Sequence, residues 1–242
     1  QGAVIAPGVY ALQPPAGRPN SPRGQEGPDC QLRLQRAPRR VVVYLEGNIA
    51  AGKTTLLEAL RSLGPDFSCI AQEPVHLWEN SGALEGFYDG SLPPLAFQLL
   101  AVASLDAAHR QTLSRGSPLV IAERSLESNS GVFARLNLSG ADLVIYDALN
   151  ADLRAARGKT EGFTILVDVP LTVLERRMRL RGRTAETATG RGVSMGYLER
   201  LRQAHETFFE GLPPDRRLRL DGTLPDSVGA ATRGGGVLSA GY

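Results

Sequence analysis

Four groups of residues in this 242-residue chain have the types and spacing to handle phosphate. The first is Gly47-Asn48-Ile49-Ala50-Ala51-Gly52-Lys53-Thr54, which fits Gly-x-x-x-x-Gly-Lys-[Ser/Thr]. It follows the apolar run Val41-Val42-Val43-Tyr44-Leu45 and precedes a helix-like stretch from Thr55 to Leu60. Strand, glycine loop and helix in that order aim backbone N–H groups and a positive helix end at one point, which suits an anion. Lys53 would reach the outer phosphates as a point charge, and the Thr54 hydroxyl would hold Mg²⁺. An incidental glycine turn lacks the flanking strand and helix, so the segment 47–55 is read as the phosphate cradle of a nucleoside triphosphate, ATP in the first instance.

Two acidic groups and an arginine cluster follow. Glu73, in Glu73-Pro74-Val75-His76-Leu77-Trp78, would accept a proton from a hydroxyl attacking the γ-phosphate. Taken alone, it reads equally as a strand-end carboxylate before a proline. Glu123-Arg124-Ser125 pairs an acid suited to Mg²⁺ with a cation suited to a transferring phosphoryl group, or forms a plain local ion pair. The stretch 175–191 carries arginines at 176, 177, 179, 181, 183 and 191 against Glu175 and Glu186. Arg177 and Arg181 fall one turn apart on a helix, and guanidinium forks match phosphate oxygens. The competing reading is a solvated basic face. Gly182 offers a joint about which such a segment could close as a lid.

These groups need a scaffold, and the rest of the chain supplies its pattern. Strands are expected at 68–72, 118–122, 163–169 and 217–221 besides the first, with helices at 95–115, 171–180 and 195–211. Alternation of this kind predicts an α/β fold of the P-loop NTPase type: a parallel five-stranded sheet, helices on both faces and an Arg-rich lid. Ligands of such sheets sit beyond the carboxyl ends of the strands, where the glycine loop, Glu73 and Glu123-Arg124-Ser125 fall.

Composition bounds the rest. A chain of this length, 42% hydrophobic, builds one core, and a net charge of +2 gives no global field for nucleic acid or a membrane surface. No apolar run approaches the ~20 residues that span a bilayer. Cys30 and Cys69 are too few for a disulfide framework, which suits a reducing compartment. Residues 1–38, rich in Pro, Gly and Arg, read as a disordered arm with a targeting peptide as the alternative. Residues 39–223 read as the folded domain and 224–242 as a disordered tail. A cytoplasmic location is expected, with mitochondrial import the alternative.

With these motifs in this order, the stretch 40–221 resembles the cellular-type deoxynucleoside kinase family, which includes deoxycytidine, deoxyguanosine and mitochondrial thymidine kinases and viral relatives. The resemblance rests on residues 46–55, Glu73-Pro74-Val75 with Trp78, Glu123-Arg124-Ser125, and Leu180-Arg181-Gly182-Arg183 with Glu186. It implies transfer of the ATP γ-phosphoryl group to the 5′-hydroxyl of a deoxynucleoside. It further implies Glu73 as base, Glu123 with Thr54 at Mg²⁺, Arg124 between the reacting groups, and Arg177, Arg181 and Arg183 as lid. Gln98 would read the base edge, Trp78, Phe97 and Phe133 would bracket the base, and Tyr88 with Glu186 would hold the sugar 3′-hydroxyl. An ungapped count puts Phe87 in place of Tyr88. The resemblance also implies a homodimer, for which 95–115 offers apolar positions.

The chain departs from that pattern in three places. Leu105 and Asn129 stand where the deoxycytidine and deoxyguanosine enzymes carry an Arg and an Asp facing the exocyclic group of the base. That exchange points to thymidine, with deoxycytidine also accepted. The stretch 184–192 is longer than the usual lid, and Leu220-Asp221-Gly222-Thr223 keeps part of the usual base-binding loop of the phosphate donor. A nucleoside monophosphate kinase, a non-catalytic scaffold and a nucleotide sensor are the alternatives. A carboxylate at 73 would repel a phosphate acceptor, and a scaffold would have no need of Lys53, Glu73 or the lid arginines.

Overall fold

A computed structural model describes residues 10–11, 35–36, 40–64, 69–157, 162–187 and 192–223. The chain divides into two units, Gln1–Arg39 and Arg40–Tyr242. In the first, Tyr10–Ala11 pairs antiparallel with Gln35–Arg36. The rest of the arm, and the tail from 224, lie outside the described residues.

The second unit carries a sheet of five parallel strands. They are β1 (Val41–Glu46), β2 (Ile70–Ala71), β3 (Leu119–Glu123), β4 (Gly162–Asp168) and β5 (Arg217–Asp221), in the spatial order β2-β3-β1-β4-β5. β1 is central, so both its faces are covered, which explains a run of valines rather than a polar alternation. Val42 packs on one face with Cys69, Ala71, Val120 and Ala122. Leu45 packs on the other with Ile70, Ile121 and Leu57 of helix α1 (Lys53–Ser62). Full burial of each such side chain contributes roughly 1.5–3 kcal/mol. β5 is an edge strand, where Arg219 pairs with Glu206 at 2.6 Å and Asp168 at 3.1 Å, a charged border that discourages further strand pairing.

Helices α2 (Val75–Asn80), α3 (Ala83–Asp89) and α4 (Pro94–Leu113) follow β2. After β3 comes a helical segment, α5 (126–137), whose middle turn Asn129–Ala134 is π-helical. Then come α6 (Gly140–Arg157), α7 (Leu171–Arg181), α8 (Thr184–Thr187) and α9 (Met195–Glu210). Among the described residues, no helix is long and apolar enough to cross a membrane.

The expected strands and long helices appear within a few residues of their predicted bounds. β2 is shorter than expected, and Ser68 lies outside the described residues. Helices α2, α3 and α6 were not anticipated. The signal for α6 was present: Leu143, Tyr146, Leu149 and Leu153 recur at helical spacing and pack on Val102 and Leu105 of α4. The apolar residues of α4 that were offered for a dimer contact are largely core, Ala101, Val102 and Leu105 being buried.

Candidate active site

β1 delivers the chain to the phosphate loop, and the loop turns where only glycine fits. Gly47 has φ +140°, and a Cβ there would stand 2.6 Å from the Val167 carbonyl oxygen of β4. Gly52, at φ +97°, is the residue before the first turn of α1. Asn48 braces the loop from beneath, donating from Nδ2 to the Leu198 carbonyl at 2.8 Å and accepting from the Ile49 amide at 2.8 Å. Lys53 is buried, and its Nζ donates to the carbonyls of Gly47 (3.2 Å) and Asn48 (3.0 Å).

Burial, reinforced by the Arg124 charge, lowers the Lys53 pKa to about 8 against the pull of Glu123, Glu73 and Glu46. A triphosphate beside the ammonium favours its charged form. Binding of a nucleoside triphosphate above pH 8 is therefore expected to take up a fraction of a proton, with affinity falling as pH rises further. Calorimetry at pH 8.5 in two buffers of different ionisation heat measures that uptake. Equal apparent heats would sink the expectation.

A charged cluster lies at the carboxyl ends of β1 and β3. The Arg124 Nε donates to Glu73 at 2.7 Å, Nη1 lies 3.9 Å from Glu46, and the guanidinium sits 4.1 Å from the Phe133 ring centroid. Its Nη1 is also 3.3 Å from His205 Nε2, while His205 Nδ1 is 2.8 Å from the Leu201 carbonyl. The carbonyl can only accept, so Nδ1 carries the proton and Nε2 accepts from Arg124. Burial, with Arg124 alongside, lowers the His205 pKa to about 3, so the ring is neutral at physiological pH.

Burial pushes the Glu73 carboxyl upward, but Arg124 and Lys53 outweigh it and hold the group below its ordinary value. Glu123 goes the other way: burial and the neighbouring Glu73 raise it against the pull of Lys53. The Thr54 hydroxyl donates to Glu123 at 3.0 Å. Glu46 accepts from both the amide and the hydroxyl of Ser125 at 2.8 Å, fixing the turn that sets Arg124 at φ 69°.

The arginine segment divides its work. Arg177 donates to the Ala51 carbonyl at 3.1 Å and the Gly222 carbonyl at 2.8 Å, latching the phosphate loop to the segment after β5. Gly182, at φ +66°, ends α7 with its amide on the Met178 carbonyl. On either side of it, Arg181 and Arg183 both bind Glu186 of α8, Arg183 at 2.9 Å, and Arg183 also reaches Glu79 of α2 at 2.5 Å. The part of the expected long lid at 188–191 lies outside the described residues.

Between this segment and α4 is an aromatic chamber. Phe87 stacks on Phe97 with centroids 4.5 Å apart, and Trp78 meets Phe97 edge-on at 5.6 Å while its Nε1 donates to Ser104 at 2.9 Å. Gln98, 1% exposed, leaves its Oε1 without a hydrogen-bond partner. Burial raises the Tyr88 phenol, with Tyr197 and Glu186 beside it.

An open cleft of about 1270 Å³ runs from the phosphate loop through this chamber to the lid. Of the residues singled out in the sequence, Ile49 to Thr55, Glu73, Trp78, Tyr88, Phe97, Gln98, Glu123, Arg124, Asn129, Phe133, Arg177, Arg181, Arg183 and Glu186 all line it. Gly47 and Asn48 shape the loop from behind. Leu105 does not reach the cleft and packs instead with Val102, Leu126, Ala134 and Tyr146. Phe87 and Tyr88 both line the cleft, so the two countings name neighbours of one chamber. The sequence reading did not assign Glu46, Tyr197 or His205, whose places depend on α9 and on the turn after β3.

The geometry joins a phosphate loop to an ionised carboxylate and an aromatic chamber with a buried amide, the parts needed to bring a triphosphate to a heterocycle bearing a hydroxyl. Comparison with known proteins agrees. The family model "Deoxynucleoside kinase" matches residues 43–223. The thymidine kinase of Ictalurid herpesvirus 1 (strain Auburn) is 32% identical over 184 residues, covering 71% of this chain and 75% of that protein. The deoxycytidine kinase of Homo sapiens is 27% identical over 199 residues, 69% of this chain and 74% of that protein. The probable deoxycytidine kinase of Fowlpox virus (strain NVSL) is 32% identical over 93 residues, 38% of each chain. Fold, loop, paired Glu and Arg, and matched length lead to one conclusion: this chain belongs to the deoxynucleoside kinase family.

Proposed function

We propose that the cleft transfers the γ-phosphoryl group of ATP to the 5′-hydroxyl of a deoxynucleoside, thymidine first and deoxycytidine second. The observation that carries this reading is the Glu73–Arg124 contact at 2.7 Å, set between the phosphate loop and the aromatic chamber. The loop amides and Lys53 hold the donor phosphates, and Arg181 and Arg183 sit where charge shifts as the phosphoryl group leaves. Phe97, Trp78 and Phe133 sandwich the base, and Gln98 pairs with its edge. Glu73, ionised, aligns the 5′-hydroxyl and takes its proton, while Arg124 steadies both the carboxylate and the migrating group. Tyr88 and Glu186 hold the sugar 3′-hydroxyl.

Thr54 and Glu123 fit Mg²⁺, since a hydroxyl and a carboxylate of raised pKa converge at the start of α1. When bound there, the ion would neutralise charge on the β- and γ-phosphate oxygens. Thymidine is favoured because Asn129 offers a neutral amide in the cleft with Leu105 sealed behind it. A monophosphate acceptor is disfavoured because Glu73 is ionised. The same reading includes a homodimer, and Val144 and Ile145 of α6, 69% and 51% exposed, are apolar residues open to such a contact.

The test is steady-state phosphate transfer from ATP–Mg²⁺ to thymidine, deoxycytidine, deoxyadenosine and deoxyguanosine. Turnover led by thymidine is expected. A purine as best substrate would overturn the base preference, and no turnover of any of the four would overturn the kinase reading itself.

A further inference from the structure

Asn129 opens the π-helical turn of α5, is 3% exposed, and lines the cleft. Behind it stands Tyr146 of α6, wholly buried among Val102, Leu105, Leu126 and Ala134. Its hydroxyl donates to Asn129 Oδ1 at 2.5 Å. Those apolar neighbours offer the phenol no other acceptor from their side chains. Were the amide reversed, the phenolic hydrogen would be buried without a partner, a costly arrangement. The phenol therefore selects the carbonyl end of the amide, and Nδ2, which makes no hydrogen bond among the described residues, is left for the cleft.

A second unsatisfied group completes the pattern. Gln98 contributes a buried acceptor, Oε1, without a partner. One unpaired acceptor and one unpaired donor in the same aromatic chamber match a heterocycle edge that carries N–H beside C=O. A 2,4-dioxopyrimidine has that edge: N3–H donates to Gln98 and O4 accepts from Asn129. A 4-aminopyrimidine sets its amino group against the Asn129 amide nitrogen, donor against donor.

We infer that Tyr146 is a positioning residue for base selection: by holding the Asn129 carbonyl it turns the amide nitrogen to the cleft and favours 4-oxo over 4-amino pyrimidine nucleosides. The inference rests on the deoxynucleoside reading of the cleft. Leaving one buried donor unpaired corresponds to a preference of about 10–100-fold.

The experiment measures kcat/KM and, separately, calorimetric dissociation constants for thymidine and deoxycytidine with the parent, Tyr146→Phe and Asn129→Asp. In Tyr146→Phe the amide is released to rotate, and the ratio should fall toward unity through a lower KM for deoxycytidine. In Asn129→Asp one carboxylate oxygen keeps the phenol and the other offers an acceptor, so the preference should reverse. An unchanged ratio in Tyr146→Phe, in protein of parental ATP affinity, overturns the inference. Should that variant not fold, a parental ratio in Asn129→Asp overturns it instead. A parent that turns over neither nucleoside counts against the kinase reading, while the dissociation constants still decide the role of Tyr146.

Discussion

Glu73→Gln is expected to lower kcat by about 10²–10⁴-fold, the range for losing a positioned base, while the KM for ATP changes little. Glutamine keeps the shape and an acceptor oxygen for Arg124 but cannot take a proton at neutral pH. Arg124 and Lys53 keep the native carboxyl ionised, so the parent has its acceptor ready across the physiological range. A loose phosphoryl-transfer transition state demands less of a base than acyl transfer does, which favours the lower part of that range. Single-turnover measurement isolates the chemical step. Parental turnover in the variant would remove Glu73 from proton transfer and leave it an anchor for Arg124.

Lys53→Met separates function from stability in the opposite sense. Loss of the ammonium is expected to cost about 10²–10³-fold in kcat/KM, as for other preorganised electrostatic groups. The fold should not suffer. The Lys53 pKa is about 8 in the native state against 10.5 for an unperturbed lysine. Between those values the unfolded chain binds more protons, so stability rises with pH across that window, and at pH 7 the buried charge opposes folding by about 3 kcal/mol at most. Methionine fills similar space without the charge, and its Tm at pH 7 should equal or exceed the parent's. A marked fall in Tm would show that the ammonium's bonds to Gly47 and Asn48 outweigh its burial.

What the sequence made legible was short-range. The phosphate loop needs Gly47, Gly52, Lys53 and Thr54 at fixed spacing on one turn, and Glu123-Arg124-Ser125 is contiguous, so each could be read without knowing the fold. Glu73 was legible as a carboxylate at a strand end near the loop, and Gln98 only through the resemblance. Residues that act across the chain were not legible. His205 meets Arg124 over 81 positions, Glu46 meets Ser125 over 79, and Tyr146 reaches Asn129 only because α6 packs on α4 and α5. A histidine on an amphipathic helix and a tyrosine in a helical stripe look like ordinary core. Leu105 shows the converse: an expected position in the motif became core because its helix turned it toward α6.

Arg124 constrains how such a chain can drift. Removing its guanidinium alone takes the nearest counter-charge from Glu46 and Glu73 and leaves them only the Lys53 ammonium, a loss of up to about 3–5 kcal/mol. A glycine there would recover only about 1–2 kcal/mol from the left-handed backbone. A lineage that abandoned catalysis and shed the arginine first would lose a large share of the roughly 5–15 kcal/mol that keeps a domain folded. Inactive descendants are expected to lose Glu73 and Arg124 as a pair, with neutral residues at both.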